Sequence, residues 1–182
     1  MADMEKLSPH PLAAFRYCPR CGADFHEHDA RSKRCPACGF TYYCNASAAT
    51  VAVVTNARDE LLVVRRAQEP AKGTLDLPGG FVDPGESATE GVVREVMEET
   101  GARAARVKEF LFSLPNAYLF SGFEVPTCDL FFRVEITDET ALFARDDAAE
   151  LFWLPWEEVV PADFGLRSIR RGVERLLAER GR

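Results

Sequence analysis

A chain of 182 residues with 47% hydrophobic and 28% charged side chains is long enough for one sizeable core and a small appendage, with the composition of a globular protein. Twenty-nine acidic against twenty-two basic side chains leave a formal net charge of -7, which disfavours general attraction to nucleic acid polymers and anionic membranes. The opening MADMEKLSPHPLAAF lacks the basic start and apolar stretch of a signal peptide, and no apolar run approaches the roughly 20 residues that span a bilayer. The expectation is a cytoplasmic protein with neither a membrane nor a nucleic acid polymer as partner, whose small anionic ligand is met by locally placed charge.

Residues 1–14 read as a tail, and residues 15–44 as a metal-binding ribbon. Cys18-Pro-Arg-Cys21 and Cys35-Pro-Ala-Cys38 are two Cys-x-x-Cys knuckles, each followed by glycine, with 13 residues between them. Two residues between thiolates let both sulfurs reach one ion, and two such turns supply the four ligands of tetrahedral Zn2+. A reducing compartment opposes disulfides between them. His26 and His28 read as solvated loop residues, and Cys44 and Cys128 as small packed side chains. About thirty residues bury too little apolar surface to order themselves, so the metal supplies folding energy and the zinc is structural.

From Asn45 onward, residues 45–182 form a second domain of mixed α and β pattern. Thr50–Val54 reads as a buried strand, Asn56–Asp59 as a turn and Glu60–Arg65 as the hairpin partner of the first strand. LDLPGGFVDPGES, with two prolines and three glycines, is a shaped loop. Ser87 followed by Glu90 has the spacing of a capping box, and Gly101 supplies a left-handed stop, so a helix is predicted over Ala88–Thr100. Val107–Phe112, Thr127–Ile136 and Leu151–Leu154 read as further strands and Arg167–Glu179 as a terminal helix, basic on one side and packed on the other.

On the predicted helix Glu95, Glu98 and Glu99 fall within an arc of about 100°, beside an apolar arc of Val92, Val93, Val96 and Met97. Like charges so placed repel unless something positive sits among them. Arg94 can neutralise one, Glu86 or Glu98, but not all three. The remainder suit a hard divalent cation such as Mg2+ or Mn2+, which takes oxygen ligands and can bring a phosphoryl group and an activated water together. Gly91, within the acidic arc, leaves the backbone open to close approach.

GFVDPGESATEGVVREVMEETGA, Gly80 to Ala102, resembles a complete Nudix box. The resemblance implies an α+β domain, an α/β/α sandwich with a mixed β-sheet, preceded here by the small zinc ribbon. It also implies metal-dependent hydrolysis of a nucleoside diphosphate linked to another group. Carried over residue by residue, Glu95 and Glu99 resemble the main metal ligands, Glu98 a further ligand or base, and the Gly80 carbonyl a backbone ligand. Arg94 and Glu86 resemble the ion pair that orients them, and Glu150 resembles a downstream glutamate that binds metal or activates water.

A ribbon before such a domain resembles the NADH pyrophosphatases, but the stretch that should carry their downstream signature reads SLPNAYLFS. Only Ser113, Pro115 and Ser121 match it, and Tyr118 stands where phenylalanine would be. Pro115 also resembles a proline of ADP-ribose hydrolases, and Tyr118 an aromatic of dinucleoside polyphosphate hydrolases. The substrate expected is therefore a small ADP-ribose-like nucleotide derivative, with NADH and dinucleoside polyphosphates as alternatives. A non-catalytic nucleotide sensor that docks a partner through its ribbon is the alternative of another class, and a homodimer stays open. Tyr118, Phe120 and Phe123 can stack a base or belong to the core. Arg65 and Arg66 can hold a phosphate or be solvated strand-end charges.

Overall fold

The computed structural model describes residues 10–120, 122–137, 142–144 and 148–181. The chain divides into two compact units, Met1–Ala46 with Leu119–Pro126, and Ser47–Tyr118 with Thr127–Arg182. No helix among the described residues is long and apolar enough to cross a membrane.

In the first unit a three-stranded antiparallel sheet, β1 (His26–Asp29), β2 (Ser32–Arg34) and β3 (Thr41–Tyr43), lies between and after the cysteine knuckles. Its core is small: Cys18, Phe25 and Cys35 are buried, with Ala23, Cys38 and Phe40 packed against them. Phe25 and Phe40 stack with ring centroids 6.2 Å apart. His26 and His28 are exposed as expected but sit on β1 rather than in a loop, because β2 pairs with that segment.

The second unit holds the strands β4 (Ser47–Val54), β5 (Glu60–Arg66), β6 (Leu75–Asp76) and β9 (Ala148–Pro155), together with most of β7 (Ala105–Phe120) and β8 (Phe123–Ile136). Two helices, α1 (Ala88–Thr100) and α2 (Arg167–Arg180), complete it. One sheet runs β4-β8-β7, with β4 and β8 parallel; the other runs β6-β5-β9, with antiparallel pairs. Successive side chains of a strand point to opposite faces, and here both faces are covered. Val51, Val53, Leu61, Val63 and Phe131 enter a core with Ile169, Val173 and Leu176 of α2. Their neighbours Ala52, Val54, Leu62 and Phe132 enter another with Val92 and Val96 of α1. This alternation packs the strands against α2 on one face and α1 on the other, the layering of an α/β/α sandwich.

The expected hairpin of Thr50–Val54 with Glu60–Arg65 does not form as a ladder. The Asn56–Asp59 turn is present, with Asn56 Oδ1 accepting the Arg58 and Glu60 N–H groups at 2.9 Å each, but the strands share only the bridge Thr55–Leu61. Both edges of β4 are already taken. β8 pairs one, and the glycine-rich loop takes the other through Thr50 N–H to Gly80 O and Ala52 N–H to Pro78 O, each 2.7 Å. The later strands also run longer than read, and Leu119–Pro126, between Tyr118 and Thr127, belongs to the first unit.

Candidate active site

Helix α1 starts and stops where its local chemistry dictates. The Ser87 side chain accepts the Glu90 N–H at 3.3 Å, the Glu90 carboxylate accepts the Ser87 N–H at 2.8 Å, and Gly101 ends the helix in the left-handed conformation at φ 69°. Val92 and Val96 bury one face in the core, which turns Glu95, Glu98 and Glu99 toward a cleft of about 310 Å3. The loop Gly79–Phe81 lies along the same cleft. A Cβ on Gly80 would fall on the Glu95 carboxylate, so a larger residue there would displace that side chain from its present position.

Arg94 engages more acids than its sequence neighbourhood suggested. Its Nη2 donates to Glu86 Oε1 at 2.6 Å and its Nη1 to Glu95 Oε1 at 2.8 Å and Glu98 Oε2 at 3.1 Å. Where Glu86 or Glu98 was expected as its partner, the five N–H donors of the planar guanidinium reach both, with Glu95 and the Phe81 carbonyl, although its single positive charge still balances only one carboxylate. The Glu86 hydrogen bonds, opposed by desolvation and aided by Glu95 and Glu98, raise the Arg94 pKa above its ordinary value. In return Arg94, with the Asp83 N–H, holds the Glu86 carboxyl below the ordinary glutamate range. The close approach expected at Gly91 is made by Glu86, whose Oε1 lies 3.0 Å from where a Cβ would stand. Glu99 is fixed from the other side, its Oε2 accepting the Gly79 N–H at 3.1 Å.

The donor set fits a hard divalent ion. Glu95, Glu98, Glu99 and Asp83 line one cleft and offer only oxygen. The Gly80 carbonyl accepts the Thr50 N–H at 2.7 Å and, at the longer distance of 3.4 Å, the Thr50 hydroxyl, the weaker of the two bonds.

The cleft is also lined by Arg66, Asp76, Asn116, Tyr118, Thr127 and Asp129, and by the apolar side chains of Leu166 and Ile169. Arg66 is spent on protein partners. Its Nε donates to Pro70 O at 2.7 Å, its Nη1 to Asp76 Oδ2 at 2.6 Å and its Nη2 to the Tyr118 hydroxyl at 3.2 Å. Burial pushes the Asp76 carboxyl up, against the pull of Arg66. Asp129 is buried as well and accepts from Thr127, Ser168 and Asn116.

Several residues named from the sequence, Glu86 and Glu150 among them, do not line this cleft. Arg65 donates to Glu150 Oε2 at 2.7 Å across the β5–β9 pair and to Gly73 O at 3.0 Å. Pro115 is exposed, on the face of β7 opposite Asn116 and Tyr118. Phe120 is 62% exposed and belongs to the first unit, while Ser121 lies outside the described residues. Asp76, Asn116, Thr127 and Asp129 were missed. A buried-strand pattern interrupted by a lone acid, as in CDLFF, was the available signal for Asp129.

In the first unit the sulfurs of Cys18, Cys21, Cys35 and Cys38 all lie within 4.8 Å of one another, Cys18–Cys38 at 3.7 Å and Cys21–Cys35 at 3.6 Å. A tetrahedron with Zn–S bonds of about 2.3 Å has sulfurs about 3.8 Å apart, whereas a disulfide needs about 2.05 Å. The cluster is compatible with a structural zinc site. The Cys38 N–H, foremost among several hydrogen bonds, lowers the Cys35 thiol to about 7. At Cys21 the Ala23 N–H lowers the pKa, but the neighbouring Cys38 and Cys35 sulfurs and burial push it up to about 12. Cys44 and Cys128 are half-buried and stand outside the cluster.

These features agree with comparisons to known proteins. The NUDIX domain model matches residues 45–176. The NAD-capped RNA hydrolase NudC of Stutzerimonas stutzeri is 40% identical over 91 residues, covering 50% of this chain and 32% of the relative. The ADP-ribose pyrophosphatase of Methanocaldococcus jannaschii is 45% identical over 60 residues, covering 32% and 35%. The matches thus span about a third of the length of these curated relatives. Among solved structures, a NUDIX hydrolase from Nitrosomonas europaea superposes with a TM-score of 0.74 at 22% identity, covering 91% of this chain and 92% of the other. With the family model matched over most of its length and the box residues assembled around one cleft, the chain belongs to the Nudix family.

Proposed function

We propose that this chain is a hydrolase that cleaves the diphosphate linkage of a nucleoside diphosphate derivative, with an ADP-ribose-like compound as the favoured substrate. The carrying observation is that Glu95, Glu98 and Glu99 line one cleft together with the Gly79–Phe81 loop. A bound Mg2+ or Mn2+ would supply positive charge to the diphosphate and lower the cost of deprotonating an attacking water. Glu95, Glu99 and the Gly80 carbonyl would hold it. Arg94 fixes the rotamers of Glu86, Glu95 and Glu98, and the Gly79 N–H fixes Glu99, so the donors are ordered before substrate arrives.

In the reaction a water oxygen bonds to one phosphorus, the bond from that phosphorus to the bridging oxygen breaks, and the bridging oxygen leaves on the other phosphate. The proton released by water goes to a carboxylate of the cleft. Glu98 takes this role here, because it lines the cleft and Glu150 does not. The ADP-ribose preference is supported by the likeness to the archaeal ADP-ribose pyrophosphatase and by the departure of Ser113–Phe120 from the NADH-type signature. Assay of the purified chain with Mg2+ against ADP-ribose, NADH, dinucleoside polyphosphates and nucleoside triphosphates tests the reading. Release of AMP from ADP-ribose supports it, and failure to cleave any of them counts against it.

A further inference from the structure

We infer that Asn116, held by Asp129, selects the nucleobase and favours adenine over hypoxanthine; this rests on the reading of the cleft as a nucleotide site. Asp129 is 4% exposed, and its carboxylate is surrounded by donors. Thr127 Oγ1 donates to Oδ1 at 2.6 Å, while Ser168 Oγ at 2.5 Å and Asn116 Nδ2 at 3.2 Å donate to Oδ2. Thr127 and Ser168 are themselves buried, so this arrangement is rigid.

A carboxylate only accepts, so Asn116 must turn its NH2 group toward Asp129. The amide is planar, and its carbonyl oxygen therefore takes the opposite side. Asn116 lines the cleft, and among the described residues that oxygen has no hydrogen-bond donor. Close by, Phe81 and Tyr118 line the same cleft in an edge-to-face pair, centroids 5.6 Å apart and planes at 89°, and Leu166 and Ile169 add apolar surface. Arg66 donates to the Tyr118 hydroxyl and so holds that ring in place. An aromatic wall beside a lone acceptor suits a planar base that carries an exocyclic amine. Adenine presents an amine where hypoxanthine presents a carbonyl oxygen, so one pairs with the Asn116 oxygen and the other sets two acceptors against each other.

Calorimetric titration of the full chain with AMP and with IMP, without divalent ion, reads the selection apart from catalysis. AMP is expected to bind tighter by about tenfold or more, equivalent to about 1.4 kcal/mol. In Asn116→Leu the AMP affinity falls and the ratio approaches one. In Asp129→Asn the new amide can donate to the Asn116 oxygen, which lets Asn116 turn its NH2 into the cleft, so the ratio moves toward IMP. A residue with a merely structural role would weaken both ligands alike. Equal affinity of the wild-type chain for AMP and IMP overturns the inference, as when a ribose hydroxyl and not the base meets Asn116; so does binding of neither at millimolar concentration. Should Asn116→Leu fail to fold, the wild-type comparison alone decides. A preference for AMP without cleavage of ADP-ribose would defeat the proposed reaction and leave this inference standing.

Discussion

Arg94 and Glu86 are joined by two hydrogen bonds, Nη2 to Oε1 at 2.6 Å and Nε to Oε2 at 3.2 Å, one residue inside helix α1 and the other ahead of its cap. Removing the guanidinium leaves Glu86, Glu95 and Glu98 repelling one another. Arg94→Met is therefore expected to lower kcat/KM by about 100-fold through misplaced ligands. Because Glu86 has a depressed pKa when folded, its stabilising contribution is present above the ordinary glutamate value of about 4.3 and is lost as pH falls through the lower folded value. The difference in melting temperature between wild type and Arg94→Met should narrow as pH is lowered from about 6 to about 3. A gap that widens in acid would contradict the pairing.

Glu99 and Glu150 should behave differently, although both were named from the sequence. Glu99 is tied to the Gly79 N–H within the cleft, so Glu99→Gln should reduce kcat by about 100-fold or more and leave the melting temperature nearly unchanged. Glu150 pairs with Arg65, and both side chains are substantially exposed, 60% and 38%. Glu150→Gln should change kcat by less than about threefold and stability by less than about 1 kcal/mol. A loss in Glu150→Gln as large as in Glu99→Gln would restore Glu150 as the base.

Arg66 and Asp76 form the most buried ion pair among the described residues, at 14% and 8% side-chain exposure. Truncating the arginine leaves an uncompensated buried carboxylate, so Arg66→Met should destabilise the fold by about 3 kcal/mol at neutral pH. The Asp76 pKa is raised by burial and rises further without its partner. A raised folded pKa costs stability above that value and returns it as the carboxyl protonates, so the deficit should shrink as pH is lowered toward about 5. Urea unfolding at the two pH values measures this; an equal deficit at both would show that Asp76 is not the cause.

The cysteine cluster is expected to hold one zinc ion per chain. Cys35→Ser should release it and lower the melting temperature, since a core of three buried side chains, two of them cysteines, cannot order the first unit. Metal analysis of the purified protein checks the stoichiometry, and protein free of zinc but equally stable would refute the structural role.

The features legible in the sequence were those set by local chemistry. Ser87, Glu90 and Gly101 mark α1 within one turn of each end, and the knuckle spacing brings the four sulfurs together without reference to the rest of the chain. What stayed hidden depends on contacts between distant segments. Asp129 meets Ser168 39 residues away, and Arg65 meets Glu150 85 residues away. A carboxylate beside a strand reads the same whether it faces a metal or an arginine. The Thr50–Val54 and Glu60–Arg65 strands were likewise joined by their turn in sequence, yet partners arriving later compete for their edges.

The most direct test of the proposed reaction is kcat/KM for ADP-ribose and for NADH, measured with Mg2+ on the same preparation with products identified. Cleavage of ADP-ribose to AMP and ribose 5-phosphate, with kcat/KM above that for NADH by about tenfold, is the expected result, a difference of about 1.4 kcal/mol in transition-state stabilisation. A preference for NADH of the same size, or no cleavage of either compound, would contradict it.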